Sequence, residues 1–152
     1  MKIRCGVFTT DKKFAKFHID ALKNHHGGKV AKYLYSQNEI SCYMDDGTNY
    51  IWLRPNLQNK GYRCSQAVVD ISTCEFKQIE DIILPICIFA DKEDFAIVRS
   101  KENDMNLFKF IKMLEKIAIL KGNIPVFYND YDSYPNYSLG FNIEKDGLNL
   151  YG

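Results

Sequence analysis

Gln66-Ala67-Val68-Val69-Asp70-Ile71 reads as a strand buried on both faces. A short, β-branched apolar run without alternation is what a sheet covered by helices on two sides requires of its interior strands. Upstream, Ile3–Thr9 reads as another short strand, with Ile3, Cys5 and Val7 alternating toward one face. Thr10 or Asp11 can accept from the free amides that open a helix, and a helix is expected over about 11–25. Phe14, Phe17, Ala21 and Leu22 fall at helical spacing there, while Lys12, Lys13, Lys16, Asp20 and Lys23 face away. Gly27-Gly28 then ends it.

Between the first helix and Gln66 the pattern changes to strands. Val30–Tyr35 and Glu39–Met44 are candidates, and Asp46-Gly47 marks a tight turn into Tyr50–Leu53. Ile40, Cys42 and Met44 set against Tyr50, Trp52 and Arg54 suggest an antiparallel hairpin with one wet face. Pro55 stops that strand, and Asn56–Tyr62 is a polar loop. Downstream, a short helix is expected around Glu75–Ile83, stopped before Pro85. Ile86–Phe89 and Phe95–Arg99 are expected as strands around the charged turn Asp91–Asp94. The strongest helical pattern is Asp104–Lys121, with Leu107, Phe108, Ile111, Leu114, Ile117 and Ala118 on one face. From about 123 onward loops dominate, with short strands at Val126–Tyr128 and Leu139–Ile143. The expectation is one α/β domain over 1–152, a mixed sheet with a central antiparallel hairpin and two main helices, about 11–25 and 104–121.

Composition narrows the possible functions. The 152 residues are 46% hydrophobic and 26% charged, enough for one core. A net charge of +1 supplies no global field toward nucleic acid or lipid, so such binding would need a local patch. Five scattered cysteines, Cys5, Cys42, Cys64, Cys74 and Cys87, form no C-x-x-C and point to a reducing compartment. The opening Met1-Lys2-Ile3-Arg4-Cys5 lacks the apolar run of a signal peptide. The longest apolar stretch, near Ile82–Ala90, is too short to span a bilayer and is broken by Pro85. A cytoplasmic protein without membrane contact is expected.

Four short motifs follow in a suggestive order: Thr10-Asp11-Lys12-Lys13-Phe14, Asp46-Gly47-Thr48, Lys60-Gly61-Tyr62-Arg63 and Val68-Val69-Asp70. Over residues 3–90 this order resembles the middle of the ATPase domain in phage large terminases and related helicase-like P-loop proteins. That resemblance implies a phage or mobile-element origin and puts Asp70 where the family's Walker B carboxylate stands. Two departures limit it. No G-x-x-x-x-G-K-[ST] loop is present to wrap phosphates, and Asp70 is followed by Ile71 where the family has Glu. ATPase activity is therefore not expected.

Other chemistry is weighed residue by residue. Asp46 or Asp70 with Glu75 and Lys77 resembles the carboxylates and lysine of a metal-dependent nuclease, although Glu-x-Lys is equally ordinary helix-surface charge. His18, His25 and His26 lack nearby cysteines for a zinc site, so no metal or other cofactor is expected. Cys5, Cys42 and Cys87 fall on expected strands and read as packing residues; Cys64 and Cys74 read as more open. Trp52, Arg54, Lys60 and Arg63, with the lysines of the first helix, could hold phosphates and stack bases. The segment Tyr128-Asn129-Asp130-Tyr131-Asp132-Ser133-Tyr134-Pro135-Asn136-Tyr137 interleaves tyrosines with acids and amides. Tyr128, Asp130, Tyr131, Asp132 and Tyr134 are thus partner-binding candidates.

The reading that results is a non-enzymatic binding protein, an inhibitor or accessory factor acting on a protein or nucleoprotein partner. A metal-dependent nuclease and a single-stranded nucleic-acid-binding protein are the alternatives.

Overall fold

The computed structural model describes residues 2–100, 107–122, 125–129, 140–144 and 147–151. The chain is α/β, as the sequence implies. Among the described residues, nine strands form one mixed sheet in the order β2-β3-β4-β1-β5-β6-β7-β8-β9. The strands are β1 (Arg4–Phe8), β2 (Val30–Tyr35), β3 (Ile40–Met44), β4 (Asn49–Leu53), β5 (Gln66–Asp70), β6 (Phe95–Ser100), β7 (Pro125–Asn129), β8 (Gly140–Glu144) and β9 (Gly147–Tyr151). β4, β1, β5, β6 and β7 run parallel to one another. β2 and β3 at one end, and β8 and β9 at the other, are antiparallel. The β3–β4 hairpin therefore lies toward one end of the sheet, just inside the edge strand β2, and β1 and β5 lie near the middle.

Two-sided burial follows from the alternation along these strands. Cys5, Val7, Cys42, Tyr50, Trp52, Val68 and Val98 meet Phe14, Ala15 and Ile19 of α1 (Lys12–His26) on one face. Phe8, Ile51, Leu53, Ala67, Val69 and Ile97 meet the remaining helices on the other. Each face supplies large buried side chains, worth about 1.5–3 kcal/mol apiece on removal from water. The hairpin has no wet face along β4: Ile51 and Leu53 are as buried as Tyr50 and Trp52. Gly6 sits where a Cβ would stand 2.7 Å from the Phe8 ring and 3.0 Å from Cys64 Sγ. The tight packing under β1 depends on that missing carbon.

Two expectations are corrected between Glu75 and Phe89. The helix does not stop before Pro85: α2 (Phe76–Gln78) runs through a π turn (Ile79–Ile83) into α3 (Leu84–Ile86). Pro85 has no amide to offer the preceding turn. The wider turn places the Leu84 N–H on Ile79 O instead. Nor is Ile86–Phe89 a strand. Ile79, Ile82, Ile83 and Ile86 all enter the core at helical spacing, and Cys87–Ala90 forms a turn closed by Ala90 N–H to Cys87 O at 2.9 Å. The polar loop after Pro55 contains a 3-10 turn, Leu57–Gly61. The last helix is α4 (Leu107–Lys121), whose Met113, Leu114 and Ile117 are buried.

Candidate functional site

In an open sheet of this kind, successive parallel strands leave the centre in opposite directions, and a crevice opens beyond their C-terminal ends. Here β1 leads to α1 on one face, while β5 leads to α2 and α3 on the other. Asp70 ends β5 at that point and is fully buried. Its Oδ2 accepts from Thr9 Oγ1 at 2.8 Å and Thr73 Oγ1 at 3.1 Å, and its Oδ1 from the Ser72 N–H at 3.0 Å. Thr9 Oγ1 in turn accepts from the Asp11 N–H, and Thr73 Oγ1 from the Thr10 N–H. Loss of water pushes the Asp70 carboxyl above its ordinary value, and these hydrogen bonds hold it partly down.

This corner is filled by the protein's own groups. Only Thr9, Thr10 and Asp11 connect β1 to α1, and Asp11 Oδ1 takes the Lys13 N–H at 2.9 Å. A carboxylate at the helix start occupies an amide that an anion would need and repels a phosphate there. Trp52 closes the side: its Nε1 donates to Thr9 O at 2.9 Å, and the Arg54 guanidinium lies 4.1 Å from its ring centroid.

The sequence-derived candidates do not converge. Asp46 lies in the β3–β4 turn, at the end of the sheet where β1 begins, and bonds His26 Nε2 at 2.9 Å and the Thr48 N–H. Asp70 lies at the other end, so the length of β1 separates them by at least ~13 Å at about 3.3 Å per residue. Glu75 is exposed and reciprocally capped with Gln78 at the start of α2; Lys77 is exposed. No group of three or more His, Cys, Asp or Glu suited to a metal ion occurs among the described residues.

The basic-aromatic set also divides. Trp52 is 7% exposed and belongs to the core beneath α1. Arg54 stands at the C-terminal end of β4 and Arg63 at the opposite end, while Lys60 is exposed in the 3-10 turn. Lys12 and Lys16 lie over the Tyr35 ring and Lys23 over Tyr33, so the α1 lysines partly cover β2. Cys64 and Cys74, expected to be open, are buried, and Cys87 lies in the turn after α3 rather than on a strand. Asp130, Tyr131, Asp132 and Tyr134 lie outside the described residues, as does the side chain of Tyr128.

The end of the sheet where the parallel strands begin is different. There a cavity of about 160 Å³ is lined by Lys2, Ile3, Arg4, Asn49, Arg63, Cys64, Ser65 and Phe89. A neighbouring one of about 280 Å³ adds Gln66 and Asp94. Beside them Ile88 and Phe89 are 65% and 71% exposed, and Ile3 and Tyr62 are also exposed. The turn carrying Ile88 and Phe89 is pinned at its far side, where Lys121 Nζ donates to Ala90 O at 3.0 Å. The sequence hides this feature, because Ile86-Cys87-Ile88-Phe89 reads there as a strand. The available signal was the stripe Ile79, Ile82, Ile83, Ile86, which fills the inward helical positions and leaves Ile88 and Phe89 surplus to the core.

Fold and site together define an open, doubly wound α/β domain with a closed switch point and an apolar, cation-rimmed end. No protein-family model and no curated protein matches the chain. Among the described residues no helix is long and apolar enough to cross a membrane.

Proposed function

We propose that this chain is a non-enzymatic binding protein that holds a protein partner against the end of the sheet where β1 and β5 begin. The observation that carries the reading is the pair Ile88 and Phe89, adjacent, apolar and mostly exposed in a pinned turn. Leaving two such side chains in water is unfavourable unless another surface covers them. Exposed aromatic and arginine side chains at the mouth of a cavity are the usual anchors of protein interfaces. Lys2, Arg4 and Arg63 line the first cavity with no acid among its lining residues, and Asp94 enters only at the second. The partner surface this fits is a protein segment presenting apolar side chains flanked by Asp or Glu. The resemblance of residues 3–90 to terminase ATPase domains suggests a phage or mobile-element setting, a cytoplasmic partner, and an inhibitor or accessory role.

The test begins with a photo-crosslinking residue at position 89 of the full chain, used in its native cytoplasm to identify the partner. The purified partner is then titrated against the wild type, the double variant Ile88→Ser/Phe89→Ser, Arg63→Glu, and Tyr131→Ala/Tyr134→Ala. The expected result is a loss of at least about 30-fold in affinity for the double variant, as for anchors worth about 2 kcal/mol or more. Arg63→Glu should weaken binding and flatten its salt dependence. Crosslinking only to a second copy of this chain, or unchanged affinity in the double variant, would remove the proposal. If the Tyr131→Ala/Tyr134→Ala variant alone loses affinity, the partner binds through the tyrosine-rich segment instead.

A further inference from the structure

The first cavity is built where β4, β1 and β5 begin. Arg4 opens β1 and is paired in register with Asn49 at the start of β4, whose N–H donates to Ile3 O at 2.9 Å. On the other side the Ser65 N–H donates to Arg4 O at 2.9 Å, and Ser65 Oγ accepts from the Arg4 N–H at 3.1 Å. Neighbouring strands lie about 4.8 Å apart, so Asn49, Arg4 and Ser65 stand side by side along the cavity they line. Arg63 comes from the segment before β5. Its Nη1 donates to Lys60 O at 2.9 Å and to Tyr62 O at 2.7 Å. The guanidinium is thus held by one nitrogen, and Nε and Nη2 have no acceptor among the described residues. The Lys2 stem lies along the β3–β4 turn, where a Cβ on Gly47 would stand 3.1 Å from its Cδ.

These three cations carry no counter-charge. The ion pairs among the described residues are Lys16–Asp20, Lys23–Asp20 and His26–Asp46, and none includes Lys2, Arg4 or Arg63. No carboxylate lines the cavity. Two acids adjoin Lys2, and both have other partners. Asp46 bonds His26 and the Thr48 N–H. Asp94 lines only the neighbouring cavity and accepts from Gln66 Nε2 and the Asp91 N–H, each at 3.4 Å. Three like charges around about 160 Å³ repel one another, in a chain whose net charge is only +1. An anion between them turns that repulsion into attraction, and a dianion does so more than a monoanion. The remaining lining residues Ile3, Cys64 and Phe89 are apolar and screen charge less than water does.

We propose that this cavity is a binding site for a phosphate dianion, free or carried as a phosphomonoester. A guanidinium is a planar fork that meets two oxygens of a phosphate at once. Arg4 and the free edge of Arg63 supply two such forks, Lys2 adds a compact charge, and the Asn49 amide is a neutral donor. The Ser65 hydroxyl makes only a 3.4 Å contact with Arg4 O and can turn its proton to the ligand. A carboxylate offers one pair of oxygens and one charge, which leaves the other cations unmatched. The neighbouring cavity of about 280 Å³ shares Lys2, Ile3, Ser65 and Phe89 with the first, so the organic part of an ester has room beside the Phe89 ring. The site acts in the isolated chain and does not depend on a protein docking at Ile88 and Phe89.

The probe is inorganic phosphate, titrated calorimetrically into the purified full chain at constant ionic strength and about pH 8, where it is mostly dianionic. The expected result is saturable one-to-one binding with a Kd below about 1 mM. Arg4→Gln/Arg63→Gln, at two exposed positions, should weaken it at least about 10-fold. Lys32→Gln/Lys112→Gln removes the same charge from exposed positions on β2 and α4 and should leave it within about 2-fold. Phenyl phosphate identifies the source: tighter binding than inorganic phosphate assigns the site to an ester, weaker binding to the free ion, and both keep the proposal. Three results would overturn it: wild type without saturation by about 10 mM phosphate, succinate binding as tightly as phosphate, or equal affinity in the two double variants.

Discussion

Replacing Asp70 separates two things a buried carboxylate can contribute: the hydrogen bonds it collects and the charge it carries. In Asp70→Ala the Ser72 N–H loses its acceptor, while Thr9 Oγ1 and Thr73 Oγ1, already 3.2 Å apart, can re-pair with each other. Loss of that acceptor from the part-buried Ser72 amide costs about 1–2 kcal/mol, and the vacated space adds about 1 kcal/mol. The expected loss is about 2–3 kcal/mol. Asp70→Asn keeps the shape and the acceptor for Ser72, and turns an amine toward two hydroxyls that can rotate to accept it. It should cost about 1 kcal/mol near neutral pH. Its pH dependence has a definite sign. Because burial holds the carboxyl above its ordinary value of 3.8, the folded state binds that proton more tightly than the unfolded one. The stabilisation by Asp70 is then greatest below that value and falls as pH rises through the folded pKa. Asn has no such term, so the gap between wild type and Asp70→Asn should narrow as pH rises from about 4. Urea unfolding followed by Trp52 emission is the assay, since Trp52 is the sole tryptophan and is bonded to Thr9 O. An Asp70→Ala variant within 1 kcal/mol of wild type would refute the account of the hydrogen-bonded tie. If Asp70→Asn were as damaging as Asp70→Ala, the charge would be what matters.

Two further substitutions probe α1. His18 is pushed down to about 4 by burial and packs against Phe14, with ring centroids 4.2 Å apart. A histidine with a depressed folded pKa contributes stability that is present above its unfolded value and lost as pH falls toward the folded one. Wild type should lose on the order of 2 kcal/mol between about pH 6.5 and 4 from this group. His18→Phe should remove that part of the slope in the same urea series; an unchanged slope would place the acid sensitivity elsewhere. Gly27 caps the helix at φ 69°, a left-handed conformation with nothing within 4 Å of a built Cβ. Gly27→Ala should cost about 1 kcal/mol by backbone strain alone, read as a lower urea midpoint at unchanged slope; no shift would mean the cap relaxes freely.

How much was legible depends on whether local periodicity and tertiary packing agreed. β1, β5 and the extent of α1 were readable because Cys5–Val7, Ala67–Val69 and the Asp11 and Gly27 caps announce them, as Asp46-Gly47 announces its turn. The inward face of α1 was not, since Phe14, Ala15 and Ile19 are buried while Ala21, expected to face inward, is exposed. Pro85 misled because its missing amide normally ends a helix. Here a π turn absorbs it, and the isoleucine stripe continues to Ile86. The position of the hairpin next to the edge strand β2 was not legible, because strand order depends on which connections cross which face. The candidate site was nearly invisible for the same reason. Lys2, Arg4, Arg63 and Phe89 are scattered in sequence and meet only because β1, the segment before β5 and the turn after α3 end at one place.

The two ends of the sheet thus carry opposite physical signatures, and the contrast bears on function. At the C-terminal end, where open α/β folds commonly bind ligands, Asp11, Asp70, Thr9, Thr73 and Trp52 satisfy one another. A ligand entering there would have to break bonds of 2.8–3.1 Å before making its own. At the other end, apolar side chains remain in water next to cations and an open cavity. Binding there displaces only water and gains burial. A surface that loses little and gains apolar contact on association is the one the proposed binding reading favours. The Ile88→Ser/Phe89→Ser variant sharpens the point, because its two side chains are already outside the core. It should keep wild-type stability to within about 0.5 kcal/mol while losing the partner. A large loss of stability would show instead that Ile88 and Phe89 support the fold, and the assignment of this end as the contact surface would fall with it.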